Sequence, residues 1–436
     1  MKSRKLYGLW WALFFGVIIA VMAVVLLKVS EPKKISSETN LQAVPEMKIT
    51  LNGATLEEIH KNGKDIKYLG NDLELTIGDQ VQLFSDVEVK GRGNFTWGQE
   101  KKPLQIKLSE KADLFGLGER RKWILLANYV DATKLRTDTA FYLEKMLGES
   151  FGYNGEFVAL YIDDEYEGLY YLTRGIEIRK NAVDLRDPLG VLMELDNIYC
   201  QREDLYFKTK NGECFTVKDA VNKDSIELAA ADFLESFNQL EESIKQQDYG
   251  KILSLIDVES FAQYYLIAEF SINNDAYFTS QYFYKDGPSD KIYAGPAWDF
   301  DIALNNYLVT GEKAFDADFT DSIGVDYLDK DKQVGNWSRL FARLIRFPEF
   351  RDEVNKVFQS KLKGRKYELL WHVFTQAARI YSEAMKDAER WGKEGYVKDV
   401  KKLLTWLNMR YDYLEEEYGT KKHKNFPFYG ITVVEV

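Results

Sequence analysis

The sequence predicts an α+β fold preceded by one transmembrane helix, and three observations carry that expectation. Residues 6–27, "LYGLWWALFFGVIIAVMAVVLL", form an uncharged apolar run. Between residues 47 and 197, short stretches of period-2 alternation recur between turn residues, the pattern of half-buried strands. From about Ser225 the apolar spacing changes to three and four residues, the pattern of helices, with one strand pair inserted near residues 280–304. Strands first and helices after, with no internal repeat, is the α+β arrangement.

The apolar run comes first in chain order. Its 22 residues at ~1.5 Å each span roughly 33 Å, about the thickness of a bilayer core. It is long for a cleavable signal, and no small-x-small cleavage site follows, so residues 1–28 are expected to be a cytoplasmic N-terminus and an uncleaved anchor. Lys2, Arg4 and Lys5 precede the run and Lys28, Lys33 and Lys34 follow it, so flanking charge does little to set its orientation. The bulk of the chain is expected outside the cytoplasm. Residues 29–45 are polar with two prolines and read as a linker.

Strands are expected at 47–53, 72–78, 86–93, 103–110 and 122–129. A helix is expected over 131–148, opening on a capping Asp and closing on Gly148. Residues 157–176 read as a hairpin with an acidic turn, and "GVLMELDN" at 190–197 as a further strand. Helical patterns follow at 226–246 and 258–274. "SQYFYKD" and "KIYAGPAWDFDIAL" return to strand, and helix then runs from about Asn336 nearly to Gly419. The last segment, 421–436, is a basic loop with one closing strand.

Composition narrows the function. With 436 residues, 45% of them hydrophobic and 14% aromatic, the chain can build a large core, which excludes global disorder. A net charge of -11 argues against a nucleic-acid partner, whose phosphates need a basic face. The three histidines lie far apart without metal-ligand spacing, so neither a zinc site nor a His-based triad is expected. The two cysteines, Cys200 and Cys214, are either one disulfide or two free thiols.

Three segments could carry chemistry. In "YAGPAWDFDIALNN", 293–306, Asp299 and Asp301 stand two residues apart in a core-like strip. On an extended segment both face the same way and could hold a hard cation. The alternative is that they cap a turn and a following helix. Upstream, "AEFSINNDAYFTSQYFYKD", 268–286, runs from a helix through a polar loop with Asp275 into an aromatic strand. Helix, Asp275, strand, turn, strand and Asp299-Phe300 follow the order of a kinase catalytic loop and metal loop. In "KGRGNFTWGQEKKPLQIKL", 90–108, Gly91 and Gly93 would let a backbone approach phosphate, and Arg92, Lys101, Lys102 and Lys107 supply positive charge. Lys107 alternates with Ile106 and Leu108 on a strand and is expected to project into a cleft. The alternative is a β-turn with a solvated basic edge.

The stretches "KGRGNFTW", "KKPLQIKLSEKADLFGLGERRKWILLANYVDATKLRTDTAFYLEKMLG", "EFSINNDAY" and "GPAWDFDIALNN" together resemble the spore coat protein H (CotH) kinase-like family, over most of residues 45–418. The helical "NWSRLFARLIRFPEFRDEV" and "LLTWLNMRYDYL" are similar to its C-terminal part. The resemblance implies an atypical protein-kinase-like fold, with a β-rich lobe at 46–200 and a helical lobe at 201–420 carrying the catalytic and metal loops. It implies ATP and Mg²⁺ or Mn²⁺ as cofactors, and secreted or cell-surface proteins phosphorylated on Ser or Thr. Carried over by motif, Asp275 is the catalytic aspartate and Asp299 the metal aspartate, with Asp301 as its partner. Arg92, Lys107 and Arg136 are phosphate or ion-pair residues. Two positions depart from the pattern. Arg174 stands in "YLTRGIE" where the family commonly has an acid, with Glu177 three residues on. Ser280 stands where ordinary kinases place a metal-binding Asn. These departures leave a second expectation, a catalytically inactive surface or envelope protein.

Overall fold

The computed structural model describes residues 43–148, 151, 154–180, 182–273, 276, 279–309, 312–315, 320 and 340–418. The expected transmembrane segment, the C-terminal tail and Asp275 lie outside them. Among the described residues, no helix is long and apolar enough to cross a membrane.

Seven strands close a barrel: β1 (Glu46–Thr50), β2 (Tyr68–Ile77), β3 (Gln80–Gly91), β4 (Leu104–Asp113), β5 (Glu119–Leu126), β6 (Gly155–Ile162) and β7 (Glu165–Thr173). Their order is β1-β2-β3-β4-β5-β7-β6, and the parallel pairing of β6 with β1 completes the ring. Closure removes the exposed edges that an open sheet would present. Alternation decides which side chains point inward, so Met47, Leu75, Val89, Ile106, Trp123 and Leu172 fill the interior. The turn between β6 and β7 is Asp163-Asp164, both at positive φ, as a two-residue hairpin turn requires. Helix α1 (Leu56–Asn62) lies between β1 and β2, opened by a Thr55–Glu58 capping box.

Helix α2 (Arg136–Leu147) interrupts the barrel between β5 and β6. It starts five residues later than the sequence suggests, because Asp131 caps a turn instead. Its carboxylate accepts the N–H groups of Thr133 and Arg136, both at 2.9 Å. Gly148 ends the helix in the left-handed region, as expected.

A second sheet has the order β12-β11-β8-β10-β9, all antiparallel. Its strands are β8 (Gly190–Leu195), β9 (Tyr206–Lys208), β10 (Cys214–Ala220), β11 (Gln281–Asp286) and β12 (Tyr293–Ala294). The lobe boundary expected at residue 200 falls inside this sheet, because β8 pairs with both β10 and β11. Cys200 and Cys214 form a disulfide that closes the β8–β10 connection, with Cα atoms 6.2 Å apart. One face of the sheet packs on α3 (Ile226–Lys245) through Phe215, Phe233, Phe237 and Phe283. Helices α4 (Tyr249–Leu255), α5 (Val258–Ser271), α6 (Leu340–Leu344), α7 (Pro348–Val357), α8 (Lys366–Trp391) and α9 (Tyr396–Tyr418) build the rest, with a short pair β13 (Tyr307–Val309) and β14 (Glu312–Phe315) between α5 and α6.

One buried ionic contact ties the late helices to the barrel. Asp387 of α8 ion-pairs with Lys101, which precedes β4, and with Lys134 at 2.9 Å. All three are at most 2% exposed. Lys101 also donates to the Leu169 carbonyl at 2.7 Å, and the Leu169 N–H donates to Asp387 at 2.9 Å. Gly168 makes this approach possible, since a Cβ there would stand 2.4 Å from the Asp387 carboxylate. Burial pushes the Lys101 ammonium down to about 7, although Asp387 pulls it the other way.

Asp387→Asn strands two buried lysines and should cost about 3–5 kcal/mol in urea unfolding. Lys101→Met should cost less, because Lys134 remains to pair with Asp387. Below pH 7 folding has to charge a buried Lys101. Above it, the unfolded chain binds the extra proton until the ordinary lysine range, so wild-type stability rises with pH across that window. Lys101→Met should lose that rise.

Candidate active site

The segment 291–304 is not the strand its sequence suggests. Only Tyr293–Ala294 forms a strand, beside an isolated bridge from Ile292 to Ile256. Pro296 offers no N–H, and Asp299, Leu304 and Asn305 take positive φ values of 70°, 50° and 64°, which break a ladder. Asp299 and Asp301 are therefore not matched on one face of an extended chain. Asp301 lies in a turn, and no helix begins after it before residue 340 among the described residues. Neither the extended-strand argument nor the helix-cap alternative describes the loop.

Contacts from three directions set this loop instead. Asn273, fully buried just after α5, donates through Nδ2 to the Asp299 carbonyl at 2.9 Å. The Leu304 N–H donates to the Ser271 carbonyl at 2.8 Å. Arg136, ion-paired with Asp131, donates to the carbonyls of Leu304 at 3.1 Å and Asn305 at 3.3 Å. Glu144 of α2 accepts the Ala297 N–H at 2.8 Å. Phe300 is buried in the core, and Trp298 packs on Phe141 with ring centroids 5.7 Å apart. Asp299 is half-exposed, and its Oδ2 accepts the Ser280 hydroxyl at 3.1 Å. Asp275 lies outside the described residues. Next to it, the Ala276 N–H donates to the Asn273 carbonyl and Tyr264 donates to the Ala276 carbonyl at 3.0 Å.

The second sheet brings more charge to the same place. By register, Tyr282, Glu194 and Thr216 stand in a row across β11, β8 and β10. Tyr282 donates to Glu194 at 2.8 Å, and Lys218 ion-pairs with the other carboxylate oxygen. Burial raises the Glu194 carboxyl, against the pull of Lys218. Burial and then Glu194 hold the Tyr282 phenol well above its usual range, so it stays protonated and donates. Arg92 completes the cluster. Its guanidinium lies 5.9 Å from the centre of the Trp298 ring, and its electrostatic neighbours are Tyr282, Asp299 and Glu194. Burial lowers its affinity for a proton and those three restore part of it.

Other predicted residues serve the scaffold. Gly91 is occupied by Trp97, whose ring would stand 2.3 Å from a Cβ there, so this glycine admits an indole and leaves no opening for phosphate. Lys101 is spent on Asp387, and Lys102 on the carbonyls of Trp97 and Gln99, each at 2.8 Å. Arg136 is an ion-pair residue that clamps the loop. Lys107 is half-buried on β4 with Glu88 and Lys122 as cross-strand neighbours. Among the described residues, no hydrogen bond or ion pair joins it to Arg92 or Asp299.

The donors at Asp299 are a carboxylate and a hydroxyl, hard oxygens that suit Mg²⁺ or Mn²⁺. Among the described residues, no group of three or more His, Cys, Asp or Glu could hold a metal alone. A cation here would share its shell with phosphate and water, as Mg²⁺ commonly does. The residues present fit such an ion.

A family model described as CotH kinase protein matches residues 89–414. The chain belongs to the CotH kinase family. The matched span runs from β3 to α9 and contains Arg92, Glu194, Lys218, Ser280, Tyr282 and Asp299 together. No curated protein matches the chain. This CotH chain accommodates its departures structurally. Arg174 is buried, donates to the Phe151 carbonyl and lies near enough to Glu144 to lower its pKa. Glu177 pairs with Arg120 at 3.0 Å and Arg179 at 3.1 Å. Ser280 keeps contact with Asp299 through its hydroxyl.

Sequence reasoning missed Glu194, Tyr282 and Lys218. The one available signal was Glu194, an acid inside the otherwise apolar "GVLMEL", since a buried charge implies a partner.

Burial pushes the Glu144 carboxyl up to about 8, offset in part by the Ala297 N–H and then Arg174. Below the ordinary carboxyl range, folded and unfolded chains are both protonated there. As pH rises toward 8, the unfolded chain releases the proton first, so this group progressively destabilises the fold. Glu144→Gln should therefore gain stability relative to wild type between pH 5 and pH 8, read from urea midpoints at both pH values.

Proposed function

We propose that this CotH family chain is an ATP- and divalent-metal-dependent atypical protein kinase acting on Ser or Thr of secreted or cell-surface proteins. The observation that carries the reading is the convergence of Asp299, Ser280 and Arg92. Arg92 balances phosphate charge from above Trp298. Asp299, with Asp301 as its partner in the loop, would hold the cation, and Ser280 orients the Asp299 carboxylate. A bound Mg²⁺ or Mn²⁺ supplies charge neutralisation for the transferring phosphoryl group. Asp275 accepts the proton of the attacking hydroxyl while ADP leaves. Such catalysis is positioning plus electrostatics, and it needs no nucleophile from the protein.

On this reading the barrel and the helical region are the two lobes of a kinase-like arrangement. Residues 6–27 anchor the chain in a membrane, with the body outside the cytoplasm. The Cys200–Cys214 disulfide supports an oxidising compartment. A second reading is a catalytically inactive envelope protein. Ser280 favours it, since it offers a hydroxyl bound to Asp299 where kinases present an amide oxygen to metal.

The test is phosphate transfer from ATP by the purified full chain. Asp299→Asn and Asp275→Asn should each lower the rate on the order of 10²-fold or more, the scale of losing one preorganised electrostatic group. Wild-type rates in both variants would overturn the kinase reading. ATP binding without transfer in wild type would favour the inactive one.

A further inference from the structure

A nucleotide triphosphate needs cations with donors to spare, and several basic residues near the site are already engaged with the scaffold. Lys101 and Lys102 are committed to the scaffold, and Arg136 to Asp131 and two carbonyls. Lys107 stands in the barrel ladder beside Glu88 and Lys122.

Lys218 differs on three counts. Its side chain is 29% exposed, so a ligand can reach it. Among the described residues its ion-pair partner is Glu194, and an ammonium group carries three protons. It also sits at the register shift between Val217 and Asp219, a bulge in the β10–β8 pairing. Bulges re-aim side chains and recur beside active sites. The ion pair with Glu194 brings Lys218 to the row that runs from Thr216 through Glu194 to Tyr282.

Glu194 holds this lysine in place. Tyr282 donates to one of its oxygens, and Thr216 at 3.4 Å and Lys218 to the other. The pairing also keeps Lys218 cationic, its pKa raised by Glu194 in spite of burial. Glu194 is thus flanked by two cations. Lys218 is ion-paired with it, and Arg92 interacts electrostatically with both Glu194 and Asp299.

We propose that Lys218, positioned by Glu194, contacts the polyphosphate of the nucleotide in this chain, the role that the sequence pattern suggested for Lys107. This inference rests on the kinase reading for its ligand, but it concerns a separate residue and a separate strand. The ligand class is a di- or triphosphate chain. Arg92 and Lys218 are the two cations beside Glu194 that would meet it, and Asp299 is a neighbour of Arg92.

The experiment uses the full chain and two probes: the KM for ATP in phosphate transfer, and binding of inorganic tripolyphosphate with Mg²⁺ by calorimetry. Lys218→Met should raise the KM and weaken tripolyphosphate about 10- to 100-fold, the loss of one charge-assisted contact. Lys218→Arg should restore most of both. Because Lys218→Met leaves Glu194 without its counter-charge, the double variant Glu194→Gln/Lys218→Met is measured beside it and should show the same loss. Lys223→Met removes an exposed charge from the same neighbourhood and should change neither readout. Wild-type affinity for both probes in the double variant overturns the assignment, as does a loss carried by Lys107→Met instead. If wild type transfers no phosphate, or Asp299→Asn matches it, the kinase reading fails. The tripolyphosphate measurement still decides Lys218.

Discussion

The buried carboxylate of Asp387, between Lys101 and Lys134, is the contact from which the site is built outward. Lys134 is the next link. Its side chain reaches the Asn128 carbonyl at 3.1 Å, and its backbone takes a positive φ of 63° in the turn capped by Asp131. Asp131 in turn pairs with Arg136, and Arg136 grips the carbonyls of Leu304 and Asn305. A path of hydrogen bonds and ion pairs therefore runs from α8, through the turn before α2, to the loop that presents Asp299. No link in it touches substrate on the proposed reading. Each fixes the geometry of the next.

Such a path is costly in a way that an apolar contact is not. Desolvating three charges is repaid only if every donor and acceptor is met, and losing one partner leaves an uncompensated ion. The chain supplies backbone partners, chiefly Leu169 and Asn128, and a glycine at 168 that lets Asp387 come close, and leaves the second Asp387 oxygen to its ion pair with Lys134. The same logic recurs at Arg410, fully buried and paired with Glu269 at 3.2 Å. That pair ties α9 to the end of α5, where the segment leading to residue 275 begins. Buried ionic contacts thus fix the Asp299 loop and the end of α5 in register with helices far along the chain.

The barrel strands were legible because alternation reports which side chains face inward, and Ile106 between Gln105 and Lys107 is a local fact. The α2 and α5 helices were legible for the same reason. The Asp299 motif could be located but its shape could not, since Pro296 and the left-handed residues around it defeat a reading based on strand period. The basic segment 90–107 was the least transparent. Arg92, Lys101, Lys102 and Lys107 look alike in sequence, and what separates them is each one's partner in space. Lys101 meets an aspartate 286 residues away, and no pattern within a window carries that distance. Strand β10 was missed for a related reason. Its alternation is interrupted at Lys218 by the bulge, and that residue is the one the site has use for.

The backbone points to the same place by an independent route. Ile272, Ser280, Asp299, Leu304 and Asn305 all hold positive φ within one stretch of some thirty residues. Side chains with a Cβ avoid that region, and Ile272, being β-branched, is the least suited to it. Each such residue costs of order 1–3 kcal/mol and persists only where its surroundings enforce it. Here the enforcing contacts can be named. Asn273 holds the Asp299 carbonyl, Ser271 holds the Leu304 N–H, and Arg136 holds the carbonyls of Leu304 and Asn305. Ser280 and Asp299 are each in a disfavoured conformation, and their side chains meet at 3.1 Å. A fold needing only a turn at this point could have used glycine at either position. Retaining a hydroxyl and a carboxylate there, against the strain, makes sense if those two oxygens are what the loop exists to present.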